Sequence, residues 1–199
     1  PFEPLLNPLK RAVKRASVVE LTRRRAAIGR ALEQAGLSPT IVNGGGSGSL
    51  DSTSRASGCT EVTAGSAFFK PHLFDYYRAP HMRALEPACF FALEVTRHPA
   101  PGFVTCAGGG YVASGPPGPD KVPLPWRPEG LSLLSGEMCG EVQTPLVCRD
   151  EPPALGEPIV FRHAKGGELA ERFATFALLR GDRIEEVVPT YRGDGQCFF

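Results

Sequence analysis

The chain has 199 residues, 42% of them hydrophobic, enough to bury a core as one domain or two small ones. Its net charge is +1, no apolar run approaches the ~20 residues that cross a bilayer, and no charged-then-apolar leader precedes a small-residue cleavage site. These features exclude a strongly basic nucleic-acid binder by composition and set the expectation of a soluble, cytoplasmic protein with no membrane partner.

The basic charge is concentrated at the start, where Lys10-Arg11, Lys14-Arg15 and Arg23-Arg24-Arg25 lie in a helical stretch. No aromatic platform or reader motif interleaves them, so they read as a solvated helix face and no nucleic-acid partner is expected. Ser17 and Glu20 form a capping box. From there Val18, Leu21, Ile28 and Leu32 recur on one helix face until Gly36 ends it. A short apolar strand, Thr40-Ile41-Val42, then runs into Asn43-Gly44-Gly45-Gly46-Ser47-Gly48-Ser49. Glycines let main-chain N–H groups converge on an anion without Cβ obstruction, and the Ser47 and Ser49 hydroxyls complete a phosphate cradle. The stretch departs from the dinucleotide fingerprint, because Asp51 stands where glycine or alanine is needed, and it lacks the Lys-Ser/Thr ending of a P-loop. On these residues alone a plain hinge between two elements stays equally open.

A second apolar stretch, Val62 to Phe69, follows, so residues 1–70 read as alternating α and β units of a parallel architecture. After Pro71 the texture changes to β-type runs separated by turns. Strands are expected at Cys89–Thr96, Phe103–Ala107, Tyr111–Ala113, Glu141–Cys148, Pro158–His163, Phe173–Leu179 and Arg183–Val188, with Gly181-Asp182 as a turn. The segment holding Pro116, Pro117, Pro119, Pro123, Pro125 and Pro128 reads as a surface loop, too proline-rich for a sheet, with Trp126 covering a pocket or an edge. The expected fold class is α/β followed by β. The six cysteines, Cys59, Cys89, Cys106, Cys139, Cys148 and Cys197, contain no C-x-x-C pair, which points to reduced, mostly buried thiols.

Several segments together carry a resemblance. Val42 through Ser49, then Thr60-Glu61-Val62-Thr63-Ala64-Gly65-Ser66-Ala67-Phe68-Phe69, resemble the paired glycine loop and strand of the D-threonine aldolase and D-serine dehydratase-like enzymes. Gly140-Glu141-Val142-Gln143-Thr144-Pro145-Leu146, Phe161-Arg162-His163-Ala164-Lys165 and Pro189-Thr190-Tyr191-Arg192-Gly193 are similar to an alanine racemase-like bacterial branch of amino-acid deaminase/aldolase proteins.

The resemblance implies the C-terminal portion of a fold-type III pyridoxal 5'-phosphate lyase. Residues 1–70 would be the last units of a (β/α)8 barrel and residues 71–199 a β-rich domain, homodimeric in the full-length form and acting on small D-amino acids with a β-hydroxyl. Gly45, Gly46, Ser47 and Gly48 would hold the cofactor phosphate, with Thr60 walling the site; loops after the late strands of such barrels commonly bind phosphate. An amino-acid racemase on the same scaffold and a non-catalytic phosphate-binding module are the alternatives.

Two departures from the family pattern qualify this. The lysine that forms the family's Schiff base lies on the first barrel strand, N-terminal to everything here, so the chain is expected to be inactive alone; Lys165 only mimics that lysine's surroundings. The family's closing motif places two divalent-metal ligands where Tyr191 and Gly193 stand, and neither is a ready ligand. His163 and Asp194 are scattered alternatives, so no divalent metal is expected. Tyr191 or His163 would then do acid/base work, and Arg192 would fix a substrate carboxylate through its forked donors. His72, His81 and His98 share no spacing and read as structural.

Overall fold

The computed structural model describes residues 7–56, 58–77, 79–116 and 118–196; Pro117 and Cys197, named above, lie outside them. The chain divides into two compact units at Gly65/Ser66.

In the first unit, α1 (Asn7–Gln34) starts ten residues before the expected cap. Pro8 lies in its first turn, where a missing N–H costs nothing. Ser17 is therefore inside the helix and makes no box; Glu20 instead accepts from Arg23 at 2.8 Å and Arg24 at 2.7 Å. The half-covered face is Val18, Thr22, Arg25, Gly29 and Leu32, while Leu21 and Ile28 are exposed. The end is as expected: Gly36 has φ 70, Leu37 N–H reaches Leu32 O at 2.8 Å and Gly36 N–H reaches Glu33 O at 3.0 Å, the two bonds of a Schellman cap.

The strands that follow are shorter than expected and displaced. β1 (Asn43–Gly44) and β2 (Glu61–Val62) pair in parallel across α2 (Leu50–Ser54). The expected strand at 40–42 is used only at its end, where Val42 O accepts from Thr60 N–H at 3.0 Å and Val42 N–H donates to Thr60 Oγ1 at 2.8 Å.

In the second unit, a single turn of helix, α3 (Pro80–Arg83), leads to a six-stranded antiparallel sheet: β3 (Phe90–Arg97), β4 (Phe103–Ala107), β5 (Leu124–Arg127), β6 (Leu131–Leu133), β7 (Gln143–Cys148) and β8 (Pro158–Arg162). The strand order is β5-β8-β3-β4-β7-β6. The two edge strands are joined directly through residues 128–130, so the sheet curls into a nearly closed barrel. The proline segment is thus partly a strand, contrary to expectation. Pro125 is tolerated because β5 is an edge, where one side of the ladder needs no donor. The expected strand at Tyr111–Ala113 is a loop: Gly108 and Gly109 both have positive φ, and Tyr111 N–H turns back to Gly109 O at 2.7 Å.

After the sheet come α4 (Gly166–Arg172), unexpected from sequence, and an antiparallel ribbon of β9 (Thr175–Arg180) and β10 (Arg183–Pro189) turning at Gly181-Asp182. The core holds Val95, Val104, Cys106, Leu146, Ile159, Phe161 and Leu169, with Phe91 stacked on Phe161 at 5.4 Å. The β7 side chains alternate, Thr144, Leu146 and Cys148 facing in, as one face of a pleated strand requires. Every described cysteine is a free thiol: Cys89, Cys106 and Cys148 are buried, Cys59 and Cys139 half-buried.

Candidate functional site

The two units carry separate groups of interest. In the first, the chain leaves β1 through Gly45 at φ 94, a left-handed conformation that favours glycine. A Cβ there would also lie 3.2 Å from Thr53 Oγ1, whereas a Cβ on Gly46 would meet nothing within 4 Å. The loop is thus packed from below and open outward. Among the described residues the Gly45 and Gly46 amides meet no acceptor, while Ser49 N–H and Oγ both turn to Gly46 O, at 2.9 and 3.3 Å. Unpaired N–H groups beside open space fit a phosphate group, which accepts from several donors at once. Thr60 lies at the junction with β2, its hydroxyl accepting from Val42 N–H.

In the second unit the structure assembles a buried ionic cluster that the sequence did not reveal. Arg162, at the end of β8, donates from Nη1 to Asp75 Oδ2 at 2.6 Å and from Nη2 to Asp75 Oδ1 at 3.2 Å. Lys70 Nζ also pairs with Asp75 Oδ1, and Lys70 O accepts from Arg162 Nη2 at 3.3 Å. Lys70 itself sits at φ 47, a left-handed conformation uncommon away from glycine. Burial alone would raise the Asp75 pKa; the hydrogen bonds and charges of Arg162 and Lys70 outweigh it and hold the carboxyl below its ordinary value. The Arg162 guanidinium also lies 5.4 Å from the Trp126 ring centre, a cation–π contact.

His163 follows directly and is 2% exposed. Its Nδ1–H donates to Cys89 O at 3.0 Å, which leaves Nε2 as the acceptor nitrogen of a neutral ring, with no partner among the described residues. Burial pushes its pKa down to about 4, against the opposing hydrogen bond to Cys89; Arg162 and His72 push the same way as burial. His72 is equally buried, donates to Val122 O, and is likewise lowered by burial.

The closing segment forms a turn after β10. Tyr191 OH donates to Gly167 O at 2.7 Å at the start of α4. The Arg192 side chain is exposed, and so is that of Asp194, whose N–H caps back to Thr190 O at 2.9 Å. Gly193 is closed to any side chain, since a Cβ there would lie 2.0 Å from Ala174 O. A metal-binding residue at 193 therefore does not fit this backbone, and among the described residues no three His, Cys, Asp or Glu side chains cluster as a metal site. Lys165 Nζ is exposed and donates to Ser114 Oγ at 2.8 Å.

No family model matches the chain, and no curated protein matches it. Solved structures do. It is similar to D-threonine aldolase from Filomicrobium marinum, at 24% identity and a TM-score of 0.68 over 89% of this chain and 50% of that one. It is also similar to D-threo-3-hydroxyaspartate dehydratase from Delftia sp. HT23, at 19% identity and a TM-score of 0.57 over 88% of this chain and 51% of that one. The chain has the D-threonine aldolase-like fold. It spans about half the length of the structures it matches, which agrees with the expectation that it corresponds to a portion of such a protein. The nearly closed antiparallel sheet of the second unit is compatible with the β-rich domain of that fold.

Sequence reasoning missed Lys70, Asp75 and Arg162 as a group. The available signal was Arg162 at the end of an apolar strand, a position where an unpaired cation is costly.

Proposed function

We propose that the chain is the C-terminal portion of a pyridoxal phosphate-dependent lyase acting on β-hydroxy D-amino acids, by retro-aldol cleavage or dehydration. Residues up to about 70 would belong to the end of a (β/α)8 barrel. The observation that carries this is the fold likeness to a D-threonine aldolase and a hydroxyaspartate dehydratase over nearly nine-tenths of the chain. The open glycine loop, with unpaired amides where a phosphate cradle is expected, supports it.

Gly45, Gly46, Ser47 and Gly48 would hold the phosphate through backbone donors, and Thr60 would wall the site. When bound, pyridoxal phosphate supplies an electron sink for bond changes at the amino-acid Cα. This chain's own residues would bind and move protons. Arg192, exposed on its turn, would take a substrate carboxylate through its forked donors. His163 would accept a proton at Nε2, the nitrogen its bond to Cys89 leaves unprotonated, and Tyr191 would share proton transfer at its hydroxyl. Because position 193 admits no side chain, no step is assigned to a divalent ion. Lys165, held by Ser114 on an exposed surface, is not assigned to the cofactor.

The test is a titration of the isotopically labelled chain with inorganic phosphate and then pyridoxal phosphate, following the Gly45, Gly46 and Gly48 amides by nuclear magnetic resonance. Saturable shifts confined to this loop are expected; unchanged shifts at millimolar ligand would remove the phosphate assignment. Borohydride treatment in the presence of pyridoxal phosphate should leave no stoichiometric adduct on Lys165. In the catalytically complete protein, Tyr191→Phe and His163→Gln should each lower activity ~10²-fold or more, the scale of one positioned acid or base.

A further inference from the structure

The three consecutive arginines of α1 are not equivalent. Arg23 and Arg24 point to Glu20 and are 71% and 70% exposed at their side chains. Arg25 instead lies on the half-covered face. Its stem passes over Gly58, where a Cβ would come within 3.6 Å of Arg25 Cδ, and its Nη2 sits 3.2 Å from the place a Cβ on Gly44 would occupy. A side chain at 44 would press on the guanidinium, while one at 58 would rest in ordinary contact with the Arg25 stem.

Gly44 immediately precedes Gly45 in the chain, so the guanidinium lies at the start of the glycine loop. Among the described residues the ion pairs of this unit are Arg23–Glu20, Arg24–Glu20 and Arg55–Asp51, and none involves Arg25. A half-covered arginine in no ion pair among the described residues, at the start of a loop whose Gly45 and Gly46 amides meet no acceptor there, offers donors for an anion. Guanidinium stays charged at every accessible pH and matches phosphate oxygens with paired donors.

We propose that Arg25 is the charged member of the glycine-loop anion site, where it neutralises a phosphate monoester dianion that the backbone amides orient. This rests on the phosphate reading above and adds a residue to it. Amides alone are neutral donors, with little means of preferring a dianion over a monoanion. With Arg25 the site favours the dianion, and its affinity falls as salt screens the added charge.

Inorganic phosphate is the probe, read by the amides of Gly45 and Gly46 and by the side-chain Nε–Hε resonance of Arg25. In the unaltered chain both are expected to shift along one saturation curve. Arg25→Gln should weaken phosphate about tenfold or more while the amides still shift, Arg25→Lys should recover part of the loss, and Arg24→Gln should titrate like the original chain. Amide shifts with an unmoved Arg25 resonance, or an Arg25→Gln chain that titrates unchanged, would overturn the role of Arg25 and leave the phosphate reading standing. Failure of the Gly45 and Gly46 amides to shift in the unaltered chain would overturn both. The Arg25 resonance is measured without substitution, so the test survives a variant that does not fold.

Discussion

In the second unit Val95, Val104, Cys106, Leu146, Ile159 and Phe161 are closed to solvent, whereas along α1 in the first unit Leu9, Val13, Val19, Leu21 and Ile28 are each more than half exposed. The second unit is held by side chains meeting across a curled sheet. The first carries its candidate anion site on backbone, at Gly45 and Gly46, which needs little side-chain packing around it. The proposed anion binding by main-chain donors and the proposed acid/base work by side chains would thus sit on two kinds of architecture, and substitutions should separate them.

The largest separation should come from Phe161→Ala, which removes a fully buried ring stacked on Phe91 and should cost about 4 kcal/mol. Trp126 is the only tryptophan and lies in the second unit, so its fluorescence during denaturant unfolding reports that unit alone. The ellipticity of α1 reports mainly the first. An equal fall in both midpoints would break the comparison by showing that the two unfold together.

Gly193→Ala should follow at about 3 kcal/mol in the same fluorescence assay, because the added Cβ must displace the Ala174 carbonyl. A variant as stable as the original chain would reopen position 193 to a metal-binding side chain.

Removing the shared carboxylate of the ionic cluster should cost about 2 kcal/mol in Asp75→Ala. That is below the value for a fully buried pair because the Asp75 side chain is 39% exposed, yet Lys70 and Arg162 would be left buried without their shared counter-ion.

Acid should act on the second unit first. His163 has its folded pKa lowered to about 4, below an unfolded value near 6.5. Its contribution is therefore fully present above that unfolded value and is lost as pH falls from about 6.5 towards about 4, at up to about 1.4 kcal/mol per pH unit. His72 is shifted in the same direction. Equilibrium unfolding at several pH values should show this slope in Trp126 fluorescence, and His163→Gln should flatten it; an unchanged slope would show that His163 is protonated in the folded state.

The smallest effect is expected at Glu20→Ala. It breaks two exposed pairs on α1, and the helix ellipticity should show no measurable change in midpoint.

Much of the local order was legible in the chain. The run at Phe103–Ala107, the one expected at Pro158–His163 and observed to Arg162, the turn at Gly181-Asp182, the Gly36 helix stop and the glycine loop all appear where neighbouring residues encode them. The start of α1 was misread because Ser17 and Glu20 form a cap pattern that a longer continuous helix overrides. The strand containing Pro125 was misread because its tolerance depends on being an edge, which only the strand order reveals.

The sequence by itself offered the phosphate-cradle candidate, because glycines and small hydroxyl residues after a strand can gather main-chain donors, with a plain hinge equally open on those residues. Tertiary structure alone decided the rest: that Arg25 and not Arg24 lies beside that loop, that Gly193 has no room for a ligand, and that Arg162 meets Asp75 across 87 residues of chain. The physical reason is that propensity and turn chemistry act over a few bonds, whereas burial, steric closure and charge pairing depend on which distant surfaces the curled sheet brings together.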